Sequence, residues 1–332
     1  MDRPRLEKIL RWFIEQDGQE KNINFLGGEP LLSADLLVGL KDFLCEINPG
    51  KIIKIKDIPT NGTLADEAML KLLKQEDIRL AFSLDGASFE DNKFRLKNEA
   101  LFNKILKNIE NYKNTYCLPR IKYTVLPALV KNFDRKILEL INKGYHDIQF
   151  FPVVGFPWNR EQVQEYKASI NRITQFYMKI LKMGYRGIQI HPLKDDFQRV
   201  LKGEYFDNAA LCRMGSQPVF MPDGKAYTCE MAMQYNNPYL EKKFSIGHID
   251  DLVDIQKMKS LKSYKLCQDA PTDCTQTRPG ACCRKICLAY NLKTGLPFSP
   301  KEITLMLEMD SIPFLAAKEA LTPRQELAMS HK

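Results

Sequence analysis

The chain has 332 residues, of which 44% are hydrophobic and 27% are charged, and its formal net charge is +8. These proportions are typical of a globular protein, and the length allows one large domain and a smaller one. No apolar run approaches the ~20 residues of a membrane span, and the first residues do not form a signal-peptide pattern, so we expect a cytoplasmic protein without a membrane partner. The lysines are spread along helix faces and form no arginine-rich block, which argues against a nucleic-acid partner.

Helical and extended hydrophobic patterns alternate along the first half of the chain. A first helix, which Asp2 can cap, precedes five predicted strands that are separated by helices. These strands are Asn22–Leu26, Ile52–Ile58, Arg79–Leu84, Ile121–Leu126 and Ile148–Val154. The alternation predicts an α/β fold with a parallel sheet and crossover helices. In such an alternation each helix follows a strand. This pattern begins on a helix, so the strand expected before that helix is missing.

Further predicted helices follow the last of these strands. A long helix is predicted over roughly Glu161–Met183, and a short helical connection over His191–Phe206. We place a domain boundary near residue 195, which gives domains at 1–195 and 196–332. The second domain is rich in loops, with a hairpin turn at Met221–Lys225 and a closing helix from Ser299 to about Met309.

Three short motifs lie at the ends of the first three predicted strands. The first is Gly27–Leu32 (Gly-Gly-Glu-Pro-Leu-Leu), the second is Ile58–Leu64 (Ile-Pro-Thr-Asn-Gly-Thr-Leu), and the third is Phe82–Gly86 (Phe-Ser-Leu-Asp-Gly). Ser33 can cap the helix predicted after the Gly-Gly-Glu-Pro turn. Parallel α/β folds bind ligands at the carboxyl ends of their strands, and glycine leaves the backbone open to a ligand. Taken alone, the first motif is equally compatible with a plain strand-to-helix turn.

Taken together and in this order, the motifs resemble those of radical S-adenosylmethionine (radical SAM) enzymes. The resemblance implies a partial (β/α)6 barrel, similar to a TIM barrel but lacking its first strand, with S-adenosylmethionine as a cofactor. It also implies that Gly27, Gly28 and Glu29 bind the methionine amino group, and that Asn61 and Ser83 line the same pocket.

Two charged residues near the third motif have alternative interpretations. Arg95 lies where the family often has an arginine that pairs with the methionine carboxylate, although a solvated helix cap is an equal alternative. Asp85 is either a catalytic proton acceptor on the substrate side or a turn residue before Gly86, and we favour the turn.

Seven of the nine cysteines are concentrated in the carboxyl-terminal part. They are Cys212, Cys229, Cys267, Cys274, Cys282, Cys283 and Cys287. In a cytosolic chain such a concentration favours metal or redox chemistry over disulfides. Zinc is an alternative metal, and buried thiols are a further, less favoured interpretation.

The spacing Cys-x11-Gly-x4-Cys from Cys212 to Cys229, together with Cys283-x3-Cys287, resembles SPASM-type auxiliary iron–sulfur domains. The resemblance implies a small Cys-rich, SPASM/twitch-like carboxyl-terminal domain that holds one or two auxiliary [4Fe-4S] clusters. The usual Cys-x2-Cys pair of such domains is missing, since six residues separate Cys267 from Cys274.

The largest departure from the family lies near the start of the sequence. Radical SAM enzymes hold their catalytic cluster with a Cys-x3-Cys-x2-Cys loop upstream of the Gly-Gly-Glu-Pro motif, whereas residues 1–44 contain no cysteine. We therefore expect that a strand and a cluster loop have been lost ahead of Met1, and that this chain alone does not cleave S-adenosylmethionine.

For function, the resemblance implies post-translational modification of a peptide or protein through hydrogen abstraction by a 5′-deoxyadenosyl radical. The implied partners are the peptide or protein substrate and an electron donor such as flavodoxin or ferredoxin. Val125–Asn132 and Ile148–Val154 are also similar to sulfatase-maturing enzymes, a subtype that we keep as an alternative. The alternative from another class is a catalytically inactive protein that binds a peptide or partner.

Overall fold

A computed structural model describes residues 1–17, 21–50, 53–153, 156–204, 215, 217–230, 238–262, 309 and 311–321. The chain divides into two compact units. The antiparallel-sheet unit comprises Met1–Phe13, Val154–Val163 and Tyr205–Ser311, and the parallel-sheet unit comprises Ile14–Val153, Gln164–Glu204 and Ile312–Lys332. None of the helices among the described residues is both long and apolar enough to cross a membrane.

The parallel-sheet unit contains seven described strands. They are β1 (Lys21–Ile23), β2 (Ile53–Ile55), β3 (Ile58–Thr60), β4 (Leu80–Ser83), β5 (Arg120–Val125), β6 (Asp147–Pro152) and β7 (Gln189–His191). Strands β3 to β7 form one parallel sheet in sequential order, and β1 pairs with β2 in parallel. The predicted α/β class with a parallel sheet is therefore confirmed.

Two features of the strands differ from the prediction. The single strand predicted over Ile52–Ile58 is divided into β2 and β3, which are separated by Lys56 and Asp57. Strand β7 was not predicted, because its three residues are too few to show an alternating pattern. Its central residue Ile190 is fully buried, and the strand pairs with β6.

Helices precede, connect or follow these strands along the chain. They are α1 (Arg3–Ile14), α2 (Leu40–Ile47), α3 (Glu67–Gln75), α4 (Phe89–Asn92), α5 (Glu99–Thr115), α6 (Phe133–Asn142), α7 (Arg160–Lys182) and α8 (Leu193–Leu201). The side chains of Asp66, Ser88 and Asn98 cap α3, α4 and α5 by accepting hydrogen bonds from backbone N–H groups. Such caps satisfy donors that have no partner within the helix.

The segment after the first motif is not the α-helix that we expected. Pro30–Leu37 forms a 3-10 helix, which is capped by Glu29 and not by Ser33. Ser33 itself has non-helical angles, φ −114° and ψ 38°, and a left-handed Gly39 separates this segment from α2. The apolar spacing could not reveal the break, because Leu36 and Leu40 suit one helix face whether or not the helix is continuous.

The antiparallel-sheet unit contains β8 (Val219–Phe220), β9 (Lys225–Tyr227) and β10 (Ser245–His248), with helices α9 (Pro238–Phe244) and α10 (Ile255–Lys262). The predicted turn joins β8 to β9, where the Gly224 N–H donates to the Met221 carbonyl at 2.9 Å. The predicted closing helix over Ser299–Met309 lies almost wholly outside the described residues.

Helix α1 lies in this unit except for its last residue. Its Asp2 cap is present, since the Arg5 N–H donates to the Asp2 carboxylate at 2.9 Å. A helix of the predicted alternating pattern packs its apolar face on the parallel sheet. In the structure Ile9 belongs to an apolar cluster with Ala226 and Ile246, residues of the antiparallel sheet. The Trp12 ring meets the Phe220 ring edge-on, with 5.2 Å between their centroids.

The buried Asp196 of α8 makes stability depend on pH. Burial raises the pKa of Asp196 to about 6, and the neighbouring Arg199 opposes part of this rise. A carboxyl group whose pKa is raised by folding stabilises the protein when protonated, and this contribution is lost as the pH rises through about 6.

We therefore expect Asp196→Asn to raise the free energy of unfolding at pH 7.5 by about 2 kcal/mol and to change it little at pH 4. Urea unfolding at both pH values measures this. An equal effect at the two pH values would contradict the prediction.

Candidate functional site

The second and third sequence motifs lie at the carboxyl ends of the adjacent strands β3 and β4, and Glu29 of the first motif is hydrogen-bonded to the end of β3. Gly27, Gly28 and Glu29 follow β1, Asn61 follows β3, and Ser83 ends β4 while Asp85 lies just beyond it. The register of β3 and β4 pairs Thr60 with Phe82, so these two strand ends lie side by side.

Glu29 connects two of the strand ends through its carboxylate. One oxygen, Oε1, accepts hydrogen bonds from the Thr60 hydroxyl at 2.7 Å and the Leu31 N–H at 3.2 Å. The other oxygen, Oε2, accepts one from the Asn61 N–H at 2.7 Å. A carboxylate offers about four acceptor positions, so one position on Oε2 remains for a donor from outside the chain.

Gly27 and Gly28 are both exposed. A Cβ built on either residue would meet no atom of the chain within 4 Å. Packing within the protein therefore does not require glycine at position 28, and the space beside this backbone is open. An open backbone next to an available carboxylate position suits a ligand that carries an ammonium group.

Asn61 and Ser83 occupy the two neighbouring strand ends. The Asn61 side-chain oxygen accepts hydrogen bonds from the Thr63 N–H at 2.9 Å and the Thr63 hydroxyl at 2.6 Å, which holds the turn after β3. Ser83 is half-buried at the end of β4. Gly62 has φ +81°, and a Cβ there would lie 3.1 Å from the side chains of Phe82 and Ile105, so this glycine is needed for packing.

The turn after β4 is held by a buried side chain that sequence reasoning missed. Asn92 of α4 is fully buried, and its side-chain oxygen accepts a hydrogen bond from the Asp85 N–H at 2.8 Å. Its amide group donates to the carbonyls of Gly86 at 3.0 Å and Ser88 at 2.8 Å. These three hydrogen bonds determine the path of the backbone from Asp85 to Ser88.

The Asp85 side chain points inward and is 2% exposed. Its Oδ2 forms an ion pair with the Arg95 Nε, and its Oδ1 accepts a hydrogen bond from the Thr124 N–H at 2.8 Å. Burial raises the pKa of Asp85, while the Arg95 guanidinium acts in the opposite direction. Asp85 therefore connects the turn to Arg95 and β5. The interpretation that we favoured, a simple turn residue, does not account for these contacts.

Arg95 is not a solvated helix cap. Besides the pair with Asp85, its Nη2 donates a hydrogen bond to the Thr124 hydroxyl at 2.7 Å, and 30% of its side chain is exposed. Thr60, Asn92 and Thr124 are the supporting residues that the sequence analysis did not identify. Thr60 precedes Asn61 in the second motif, which was a usable signal, whereas no local pattern indicates Asn92 or Thr124.

Of the seven proposed cluster ligands, the structure describes Cys229, which is half-buried just after β9. The other six lie outside the described residues; they are Cys212, Cys267, Cys274, Cys282, Cys283 and Cys287. The described ranges contain no group of three or more His, Cys, Asp or Glu side chains that could hold a metal ion. The described residues of the strand-end site include donors and acceptors that fit S-adenosylmethionine; no thiolate is among them, so these residues do not themselves fit an iron–sulfur cluster.

Comparison with known proteins agrees with this geometry. Residues 1–143 match the family model of the radical SAM superfamily. The cysteine-type anaerobic sulfatase-maturating enzyme of Clostridium novyi (strain NT) is 26% identical over 294 aligned residues, and the match covers 79% of this chain and 76% of that enzyme. The enzyme of the same name from Clostridium perfringens (strain 13 / Type A) is 20% identical over 277 aligned residues, and that match covers 78% of this chain and 71% of that enzyme.

A solved structure of similar fold is native anSMEcpe with bound AdoMet and Cp18Cys peptide. It superposes with a TM-score of 0.71 and 19% sequence identity, and the match covers 100% of this chain and 92% of that chain. The resemblance inferred from the three motifs is thereby confirmed. The chain carries a radical SAM domain at its amino-terminal end and is related to the anaerobic sulfatase-maturating enzymes.

Proposed function

We propose that the strand-end site binds S-adenosylmethionine and that the protein serves in the modification of a peptide or protein. The observation that carries this proposal is the Glu29 carboxylate, which keeps one acceptor position beside the open backbone of Gly27 and Gly28. The match of residues 1–143 to the radical SAM model supports the same ligand.

Each residue of the site has a role in this proposal. The backbone carbonyls of Gly27 and Gly28 and the Glu29 Oε2 accept hydrogen bonds from the methionine ammonium group. Asn61 and Ser83 line the pocket, and Arg95 pairs with the methionine carboxylate. In the family, bound S-adenosylmethionine supplies a 5′-deoxyadenosyl radical that abstracts hydrogen from a substrate side chain.

The proposed substrate is a peptide or protein segment. The solved relative holds a peptide together with AdoMet, and the related Clostridium enzymes are named for sulfatase maturation. We extend only the substrate class to this chain, with sulfatase maturation as one subtype. We further propose a cytoplasmic location and an electron donor such as flavodoxin or ferredoxin.

We also propose that the cysteines between residues 212 and 287 hold one or two auxiliary [4Fe-4S] clusters. Support for this proposal comes from their number and spacing, since Cys229 is the one ligand candidate that the structure describes.

A second candidate function is recognition of a peptide or partner without catalysis. The observation in its favour is that residues 1–44 contain no cysteine, whereas the catalytic cluster of the family requires three thiolates. The two candidates share the S-adenosylmethionine site and differ in whether the bound ligand is cleaved when a catalytic cluster is present.

The test is to reconstitute the chain anaerobically, measure binding of radiolabelled S-adenosylmethionine by equilibrium dialysis, and then assay 5′-deoxyadenosine after adding dithionite. We expect saturable binding and no 5′-deoxyadenosine above a protein-free control. Failure to bind would overturn the proposed site. Turnover amounts of 5′-deoxyadenosine would exclude the non-catalytic candidate and show that thiolates outside residues 1–44 hold the catalytic cluster.

A further inference from the structure

We propose that Asp85 is a positioning residue, which holds the Arg95 guanidinium and the Thr124 hydroxyl in place to receive a carboxylate of the bound ligand. This inference rests on the proposed function, because the carboxylate in question is that of S-adenosylmethionine. It replaces the interpretation of Asp85 as a catalytic proton acceptor.

Both oxygens of the Asp85 carboxylate already have partners within the chain. Oδ2 pairs with the Arg95 Nε, and Oδ1 accepts the hydrogen bond from the Thr124 N–H at 2.8 Å. With 2% of its side chain exposed, Asp85 has no open path to a substrate hydrogen. A buried carboxylate with partners from two separate elements orients those elements toward each other.

Arg95 and Thr124 keep donors that are available to a ligand. A guanidinium has five N–H donors. The Arg95 guanidinium donates one hydrogen bond to Asp85 and one to the Thr124 hydroxyl. Because Thr124 Oγ1 accepts that hydrogen bond, its own O–H remains available as a donor. A guanidinium edge beside a hydroxyl is a donor group that suits a carboxylate.

The same two contacts restrict the orientation of the Arg95 side chain, 30% of which is exposed. Exposed arginine side chains lose much rotamer freedom when they bind an anion, which weakens binding. Here Asp85 and Thr124 hold two nitrogens of the guanidinium before any ligand arrives. Preorganisation of this kind contributes to affinity without a new contact to the ligand.

The experiment compares S-adenosylmethionine with decarboxylated S-adenosylmethionine, which lacks only the carboxylate. Dissociation constants are measured by equilibrium dialysis for the wild type and for Asp85→Asn and Arg95→Gln. We expect the wild type to prefer S-adenosylmethionine by about tenfold or more, and both variants to lose most of this preference. Affinity for the decarboxylated ligand should change by less than about twofold.

A matched control is Asp91→Asn. Asp91 is a half-buried carboxylate of α4 whose partners are Lys136, at 3.1 Å, and the Ser88 hydroxyl, which donates a hydrogen bond to it. This variant should keep the wild-type preference. Asp85→Asn is checked for folding by circular dichroism. Thr124→Val is the second test, since it removes the hydroxyl but keeps the N–H bond to Asp85, and we expect it to reduce the preference.

Each outcome separates the inference from the proposed function. If Asp85→Asn weakened the binding of both ligands equally, Asp85 would be structural only. If Thr124→Val kept the full preference, the Thr124 hydroxyl would take no part in binding the carboxylate. Either result would overturn the inference. A wild type that binds both ligands equally would overturn the inference and leave the proposed S-adenosylmethionine site standing. A wild type that binds neither would overturn both.

Discussion

Replacing Gly86 by alanine should lower the free energy of unfolding by more than about 3 kcal/mol. A Cβ at this position would lie 2.4 Å from the Asp91 Cβ and 2.6 Å from its Cγ, and the backbone has φ +144°. Asp91 cannot move away without cost, because Lys136 and Ser88 both hold its carboxylate. The Gly86 carbonyl is in turn held by Asn92, so the backbone cannot shift easily either.

Urea unfolding measures this effect, and Gly203→Ala is the matched control. Gly203 also has a positive φ, +73°, but a Cβ there would meet no atom within 4 Å. Alanine at position 203 should therefore incur only the backbone strain, about 1 kcal/mol. If the two variants lost similar stability, the contact with Asp91 would not be the cause.

Replacing Gly28 by alanine should leave stability nearly unchanged and should weaken ligand binding. We expect the free energy of unfolding to stay within about 1 kcal/mol of the wild type, because a Cβ there meets nothing in the chain and the backbone angle is not left-handed. Affinity for S-adenosylmethionine should fall by about tenfold or more, since the added methyl group occupies the space in which the ligand approaches the backbone.

Equilibrium dialysis and urea unfolding of the same preparation separate these effects. Gly184→Ala is the control for binding, because Gly184 lies in the same unit, after α7, and its Cβ would also meet no atom within 4 Å. It should bind S-adenosylmethionine like the wild type. Unchanged affinity in Gly28→Ala would show that no ligand approaches the backbone at this position.

Local signals in the sequence determined the fold class and the residues at the strand ends. The apolar alternation identified β4, β5 and β6, and Asp2 indicated the start of α1 because its side chain caps the first turn. The three motifs identified Glu29, Asn61 and Asp85, since glycine-rich turns after strands are visible within a few residues.

The tertiary structure decided how these residues act. Thr60 lies 31 residues from Glu29, and Thr124 lies 39 residues from Asp85. Such partners come into contact only when β3, β4 and β5 pair in register. Residue spacing along the chain does not predict these contacts. The same holds for α1, whose residue Ile9 packs with Ala226 and Ile246. An amphipathic pattern specifies that one face is buried, but which surface covers it depends on contacts between distant parts of the chain.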